Sequence, residues 1–279
     1  MKITLPKDKH IGIIIEPRSG SHAFRNYISS SLKYIDLGEF INPLHRAPIL
    51  IIDKNKNSVQ KVADPKAGMT PDNWQFNETI ANNWIDKQLT ILNDMANIDR
   101  FAIFSIVIKN ALSYYPAVLE KIKNNPNIYF IRLKRIDILY SIISIEMCKH
   151  TNIWHNIDHQ NKFSRELIKH KFDIPLDVIK DHLEMYIKCE RLVEEIFDNT
   201  PVIHYEQWQN NIRNLHKVLD LPNKLVSVDY QKFTGNYKNL ISNIVDIENY
   251  YKEFVMEHFE YFQDQHIKDI LSDYVNEFH

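Results

Sequence analysis

The sequence predicts an α/β protein built on a parallel β-sheet, and three observations lead to that fold class. Short apolar runs rich in β-branched residues recur along the chain, and such continuous runs are typical of strands buried on both faces. The segments between these runs are long enough to contain the crossover helices that parallel strands need. Hydrophobic residues make up 44% of the 279 residues and charged residues 25%, values that exclude a disordered, collagen-like or coiled-coil chain.

The apolar runs predict five strands, over residues 11–15, 49–52, 101–108, 128–133 and 201–205. The second run precedes the polar, turn-forming residues 53–57, a pattern that is also typical of a hairpin inserted between the first sheet strand and the next helix. An apolar period of 3.6 residues predicts two helices, over 176–197 and 247–258. No stretch is typical of a linker or a repeat, so we expect one domain over residues 1–279.

Charge and cysteine content narrow the possible partners and the compartment. The 34 basic and 36 acidic residues nearly cancel to a net charge of −2, which argues against nucleic acid as a partner. No apolar run approaches the roughly 20 residues that cross a bilayer, and no signal-peptide pattern is visible, so we expect no membrane association. Cys148 and Cys189 are the only cysteines, which favours a reducing compartment and a cytoplasmic protein.

The first predicted strand leads into a tight loop over residues 16–22, which is followed by a helical pattern that begins at Ala23. Ser19, Gly20 and Ser21 are small, and a helix that starts after such a loop presents unbonded N–H groups and a partial positive charge. This arrangement binds anions, and Arg18 would add a full charge. The same residues are also compatible with a plain turn and helix cap. Their position after the first strand favours an anion site, because ligands of open α/β sheets bind at the carboxyl ends of strands.

The common nucleotide-binding loops GxxxxGK[ST] and GxGxxG are both absent from this segment. Instead, Pro17-Arg18-Ser19-Gly20-Ser21 after an apolar strand resembles the 5′-phosphosulfate loop of the sulfotransferases that use 3′-phosphoadenosine 5′-phosphosulfate (PAPS). The resemblance implies a P-loop-NTPase-like three-layer fold, with a central parallel sheet, helices on both faces and a helical carboxyl-terminal cover. It also implies that the 5′ end of PAPS contacts Arg18, Ser19, Gly20, Ser21 and His22.

Two later segments are similar to the remaining cofactor elements of this family. A predicted strand ends in Arg132 and a helix then carries Ser141, the pair that the resemblance assigns to the 3′-phosphate. A guanidinium grips phosphate through several coplanar donors, and a hydroxyl adds one more. The spacing is one residue longer than in the animal enzymes, which leaves Arg135 as an alternative ligand. Residues 231–238, with Tyr237, loosely resemble the family's late Gly-rich loop.

Three shorter matches resemble the bacterial trehalose-type and phage-like branch of the family. Leu37-Gly38-Glu39-Phe40 is similar to the segment that carries a catalytic Glu in that branch. Residues 151–154 resemble its Thr-Gly-x-Trp turn, and residues 204–206 resemble a late strand ending in Tyr-Glu. The resemblance implies that Glu39 is the general base for the acceptor hydroxyl, a role that partial burial of a carboxylate favours. A solvated glutamate at a helix end is the other interpretation.

The sequence also departs from the family pattern. Many relatives have Lys in place of Arg18 and Thr in place of Ser21. Where the animal enzymes have a catalytic His after the strand corresponding to 101–108, this chain has Lys109 and Asn110. Lys109 is therefore a candidate to neutralise the leaving group, or else a solvated lysine at a strand end. Arg18 and the loop N–H groups would face the transferred sulfuryl group in an in-line displacement.

Parts of the sequence also suggest a metal site and other function classes. His155 and His159 have the four-residue spacing of a helical zinc pair, but Asn156 stands where metalloproteases have Glu, so we expect no metal. The expected acceptor is a carbohydrate or a small molecule with a hydroxyl group. A non-catalytic nucleotide- or sulfated-glycan-binding module is the alternative function. A nucleotide-dependent kinase is disfavoured, because Lys-Ser/Thr does not follow the loop glycine.

Overall fold

A computed structural model of the chain describes residues 2–17, 19–39, 49–53, 55–62, 78–109, 116–151, 171–208, 211–222 and 240–262. The chain divides into two compact units. The first, here called the sheet unit, comprises Met1–Lys134 and Arg191–Tyr230. The second, the helical unit, comprises Arg135–Glu190 and Gln231–His279. The expectation of one domain over residues 1–279 stays a prediction.

The described strands are β1 (His10–Ile15), β2 (Ile35–Asp36), β3 (Ile49–Asp53), β4 (Ser58–Val62), β5 (Ala102–Val107), β6 (Ile128–Lys134) and β7 (Val202–His204). Five of them form a parallel sheet in the order β2-β5-β1-β6-β7, which confirms the α/β class with a central parallel sheet. All six residues of β1 are buried between two neighbouring strands, and this explains its unbroken apolar run. In the register, Ile13 lies opposite Ser105 on one side and Ile131 on the other.

The strand predicted at 49–52 does not belong to the central sheet, so that part of the sheet prediction was wrong. It forms β3, which pairs antiparallel with β4, and the predicted hairpin is confirmed. The turn closes because the carboxylate of Asp53 accepts the N–H groups of Asn55 and Lys56, at 3.0 and 3.2 Å. Strand β2 was not predicted, because a strand of two residues is too short to show a periodic pattern.

The described helices are α1 (Ser21–Leu32), α2 (Glu78–Ala96), α3 (Pro116–Lys123), α4 (Ile138–Thr151), α5 (Leu176–Ile196), α6 (Leu215–Val218) and α7 (Ile244–Glu257). In the sheet unit, α1 buries Phe24, Tyr27 and Ile28 in the same apolar cluster as Ile13 of β1 and Trp208. Trp208 and Tyr27 are at most 1% exposed, so this cluster anchors the helix that follows β1. Helix α1 ends at Lys33, whose φ of 60° turns the chain out of the helix.

The helical unit has its own apolar cluster, built from α4, α5, α7 and the segments next to them. Its members include Ile143, Leu183, Ile187, Ile247 and Phe254. The helices predicted over 176–197 and 247–258 are confirmed as α5 and α7, with α7 beginning three residues earlier at Ile244. Within the described part of the chain, none of the helices combines the length and the hydropathy that membrane crossing requires.

Candidate functional site

The loop between β1 and α1 depends on a glycine. Gly20 precedes α1 with φ 78° and ψ 13°, a left-handed conformation that side chains other than glycine's rarely adopt. A Cβ atom on Gly20 would also lie 2.5 Å from Cε2 of Tyr205 and 3.0 Å from Cη2 of Trp208. The two aromatic rings, which follow β7, therefore pack directly against the loop backbone. Tyr205 belongs to residues 204–206, which resemble a late strand ending in Tyr-Glu. Its contact with Gly20 limits the conformations that the loop can adopt.

The amino terminus of α1 is left without a side-chain cap. Gly20 has no side chain to offer, and the first intrahelical bond runs from the N–H of Phe24 to the carbonyl of Gly20, at 3.1 Å. The N–H groups of Ser21, His22 and Ala23 precede that bond, so the helix itself supplies them no acceptor. The first turn holds no acidic residue. These three N–H groups, open in the sense that no bond within the helix uses them, lie at the positive end of the helix dipole, where an external anion can bind.

Ser19 adds a second, independent feature to this loop. Its side chain is 1% exposed, and its Oγ atom has no hydrogen-bond partner among the described residues. Burying a hydroxyl without a partner costs about 1–3 kcal/mol, and an incoming oxygen atom next to the loop would remove that penalty. His22, by contrast, is exposed, and its Nε2 accepts from Nδ2 of Asn26 at 3.2 Å. That bond places the ring proton of neutral His22 on Nδ1.

The turn after β2 brings Glu39 to the same edge of the sheet. The chain continues to pair with β5 beyond β2, because Leu37 donates to the carbonyl of Ile103 at 2.9 Å and Ser105 donates to that of Gly38 at 2.8 Å. Gly38 has φ 67°, so the backbone turns there. Glu39 follows directly and is half-buried. Since β5 alone separates β2 from β1, Glu39 lies about two strand spacings, or roughly 10 Å, from the line of β1.

A buried polar cluster supports this turn, and sequence reasoning missed it. Arg25 of α1 is 5% exposed, and its Nε donates to Oδ1 of Asp36 at 2.8 Å while its Nη1 donates to Oγ of Ser105 at 2.6 Å. The same Oδ1 atom accepts the N–H of Gly38 at 2.8 Å. The signal was present in the sequence as a charged residue on the apolar face of an amphipathic helix, between Phe24 and Tyr27.

The other predicted site residues within the described part of the chain are divided between the sheet unit and the helical unit. Lys109 is half-buried just after β5, at the edge of the sheet where β1 ends. Arg132 is half-buried on β6, opposite Ile14 in the register. Because strand side chains alternate, Arg132 points away from the sheet face that Ile131 and α1 share. Ser141 is buried in α4 of the helical unit, and Arg135 belongs to that unit as well.

Arg18 and Tyr237, two predicted cofactor ligands, lie outside the described residues, as do His155 and His159. Among the residues that the structure describes, no group of three or more His, Cys, Asp or Glu side chains could hold a metal ion. The structure therefore brings Ser19, Gly20, Ser21, His22, Glu39 and Lys109 to one edge of the sheet unit. The roles assigned to these residues stay predictions.

The helical unit contains a different cluster of charged groups. Oε1 of Glu146 accepts from Nζ of Lys149 at 2.6 Å and pairs with Nε2 of His182 at 2.7 Å. Burial raises the pKa of Glu146, but the hydrogen bonds and charges of Lys149 and His182 together outweigh it, so the net pKa is lowered. Each of these side chains already has a strong partner, which is typical of a tie between two helices.

Comparison of the chain with protein-family models and with curated proteins found no match in either. The geometry of the sheet edge is therefore the main guide to the function of this chain. That edge combines open helix N–H groups, a buried hydroxyl, a lysine and a half-buried carboxylate. Such a set can bind an anionic group and accept a proton next to it.

Proposed function

We propose that this chain is a PAPS-dependent sulfotransferase that moves the sulfuryl group to a hydroxyl of a carbohydrate or a small molecule. The proposal includes a P-loop-like three-layer fold, in which helices cover both faces of the parallel sheet and helical segments form a carboxyl-terminal cover. It also includes a cytoplasmic site of action, which is supported by Cys148 and Cys189, since both are buried and neither forms a disulfide. No metal is required by the proposed reaction.

The observation that carries the proposal is the combination at the end of β1. Gly20 leaves the amino terminus of α1 uncapped, and the buried Oγ of Ser19 has no partner among the described residues. A helix terminus alone is a common feature, but the hydroxyl buried beside it is a polar group whose hydrogen bond an oxygen-rich ligand can supply. The 5′-phosphosulfate of PAPS has the charge and the acceptor oxygens to satisfy both features.

The residues at this edge suit the individual roles of sulfuryl transfer. The acceptor oxygen attacks sulfur, the bond from sulfur to the bridging phosphate oxygen breaks, and adenosine 3′,5′-bisphosphate leaves. Glu39 takes the proton from the acceptor hydroxyl. The N–H groups of α1, with Arg18, stabilise the negative charge on the transferred group, and Lys109 neutralises charge on the leaving oxygen. Chemistry of this kind depends mainly on positioning and on electrostatic stabilisation.

Recognition of the 3′-phosphate is assigned to residues from two elements. Arg132 supplies a guanidinium from β6, two residues before the strand ends, and Ser141 supplies a hydroxyl from α4. Tyr237 is proposed to contact the cofactor from the late loop, and Arg135 is the alternative phosphate ligand. These assignments rest on the resemblance of the sequence segments.

Calorimetric titration with adenosine 3′,5′-bisphosphate tests the cofactor half of the proposal, with adenosine 5′-monophosphate as the control that lacks the 3′-phosphate. We expect the bisphosphate to bind at least about tenfold more tightly, which corresponds to roughly 1.4 kcal/mol. Separate Arg18→Ala and Arg132→Ala variants should weaken that binding. Undiminished binding in both variants would remove the proposed cofactor site.

Transfer of ³⁵S from labelled PAPS to a panel of hydroxyl acceptors tests the catalytic half. Product formation that depends on Glu39 supports the sulfotransferase. Tight bisphosphate binding without transfer to any acceptor in a broad carbohydrate and small-molecule panel favours the binding-module alternative. A magnesium-dependent signal with ATP would instead favour a kinase.

A further inference from the structure

The structure connects the proposed base to the proposed anion loop through one buried ion pair. Arg25 lies three residues after His22 on α1, so it is part of the helix whose first turn presents the open N–H groups. Its guanidinium reaches across to Asp36 at the end of β2 and to Ser105 of β5. The residue thus ties α1 to the two strands that carry the turn before Glu39.

Two hydrogen bonds hold the backbone of Gly38 from opposite sides. Its N–H donates to Oδ1 of Asp36, and its carbonyl accepts from the N–H of Ser105, each at 2.8 Å. Glycine adopts positive and negative φ with similar ease, so these bonds, rather than the residue type, hold Gly38 at φ 67°. The direction in which Glu39 leaves the sheet therefore depends on Asp36.

Asp36 in turn depends on Arg25. One carboxylate oxygen accepts both the guanidinium N–H and the N–H of Gly38, and its side chain is 21% exposed against 6% for Arg25. A buried guanidinium left without its carboxylate is strongly unfavourable, so the pair has one stable arrangement. That arrangement keeps α1 and the Gly38 turn at a fixed separation.

We propose that Arg25 and Asp36 are positioning residues, which set the distance from the carboxylate of Glu39 to the anion loop. The inference rests on the proposed function, because it assigns the two residues to the alignment of base, acceptor and sulfuryl group. Neither residue needs to touch the substrate. Loss of alignment by about 1 Å can lower a rate by about a hundredfold, so the expected effect is large.

The main test compares Asp36→Asn with Tyr27→Phe. The first variant removes the negative charge but keeps an oxygen for the N–H of Gly38. The second removes another buried polar contact of α1, the 2.8 Å bond between Tyr27 and His216, which has no connection to Gly38. Calorimetry with adenosine 3′,5′-bisphosphate, and ³⁵S transfer from PAPS, are measured for both variants and the native chain.

For Asp36→Asn we expect kcat to fall by at least about tenfold, with a KM for PAPS and a bisphosphate affinity within about threefold of native. Tyr27→Phe should keep the native kcat. Equal kcat values in the two variants, or a loss of bisphosphate affinity that matches the loss of kcat, would overturn the proposal.

A second measurement separates this inference from the proposed function. The ¹³C-carboxyl resonance of Glu39 and the amide exchange of Gly38 are followed by NMR without any substrate. If Asp36→Asn speeds the exchange at Gly38 and moves the Glu39 resonance, the positioning role stands even where the native chain transfers no sulfate. If neither signal changes, the positioning role is wrong, whatever the activity.

Ser105→Ala serves where Asp36→Asn does not fold, because it leaves the ion pair intact and removes the second acceptor of Arg25. It should change the Glu39 resonance in the same direction and by less. An unchanged resonance and exchange rate in this variant, with the hydroxyl removed, would overturn the proposal in the same way.

Discussion

The two ends of β1 differ in whether their buried polar atoms have hydrogen-bond partners. At its start, His10 is fully buried and both ring nitrogens are bonded, since Nε2 pairs with the carbonyl of Leu92 at 2.8 Å and Nδ1 accepts the N–H of Ala102 at 3.0 Å. Just after its end, the Oγ of Ser19 has no partner among the described residues, and α1 begins without a cap. Both groups are equally buried, so burial alone does not distinguish a structural residue from a candidate ligand. What distinguishes them is whether their polar atoms already have hydrogen-bond partners.

The residues around the start of β1 are also joined by hydrogen bonds. Near His10, Oδ1 of Asn93 accepts from Nδ2 of Asn125 at 3.1 Å and from Nδ2 of Asn127 at 3.0 Å, while Asn127 also accepts the N–H of His10. These side chains tie α2 to the loop before β6. Such a network holds these segments together and stabilises the fold. The other end keeps its donors for an anion, and the following predictions test this difference.

The largest effect is expected for Gly20→Ala. The left-handed φ and the contact with Tyr205 both oppose a Cβ atom, so the free energy of unfolding should fall by about 3 kcal/mol or more. Gly38→Ala is the matched control, since Gly38 has a similar φ and no atom of the described residues lies within 4 Å of the added Cβ. It should cost only about 1 kcal/mol. Urea unfolding measures both, and equal losses would show that the Tyr205 contact is unimportant.

A smaller effect is expected from acid at the other end of β1. Burial lowers the pKa of His10 to about 4, although the bond to Leu92 opposes that shift. The unfolded chain protonates this group near its ordinary pKa of about 6.5, so it binds more protons than the folded chain between those values. The contribution is complete above pH 6.5 and decreases as the pH falls towards 4, by about 3 kcal/mol.

Urea unfolding from pH 7 to pH 4 measures that loss, and His10→Gln isolates it. The variant has no titrating ring, so its stability should depend less on pH in this range, by about the same 3 kcal/mol. Identical pH dependence in the native and variant chains would mean that His10 charges without opening the structure.

The third effect concerns affinity more than stability. Ser19→Ala removes a buried hydroxyl that has no partner among the described residues, so the free energy of unfolding should stay at the native value or rise by about 1 kcal/mol. Affinity for adenosine 3′,5′-bisphosphate should fall about fivefold to tenfold, or roughly 1–1.4 kcal/mol. Ser105→Ala is the contrast, because Ser105 is equally buried but accepts from Arg25; it should destabilise the fold by about 1–2 kcal/mol. Native affinity in Ser19→Ala would contradict the assignment of Ser19 to the anion loop.

The smallest effect is expected for Asn93→Ala in the network near His10. Loss of the shared acceptor leaves the side-chain amides of Asn125 and Asn127 without their bonds, and the free energy of unfolding should fall by about 1 kcal/mol. Affinity for the bisphosphate should stay native, because this network lies at the opposite edge of the sheet. If Asn93→Ala lowered both the stability and the bisphosphate affinity, the proposal that only the carboxyl end of β1 binds the anion would be wrong.

The site was predictable where its residues follow one another in the sequence. The apolar run of β1, the small residues 19–21 and the helical pattern after them identify the anion loop, because strand, loop and helix are local structures. The turn at Glu39 was found only through a short resemblance. The strand before it, β2, has two residues, and pairing with β5 is what makes it a strand.

The sequence by itself determined the α/β class, the buried strands of the parallel sheet, the β3-β4 hairpin and the two long helices α5 and α7. These features depend on local propensity and on the period of apolar residues, which any window of the chain displays. Only the tertiary structure decided that Tyr205 and Trp208 pack on Gly20, that the carboxylate of Asp36 pairs with Arg25, and that Ser105 completes the turn before Glu39. Those contacts join residues 11 to about 190 positions apart, and hydrogen-bond geometry between distant segments exists only once the sheet has set their order and register.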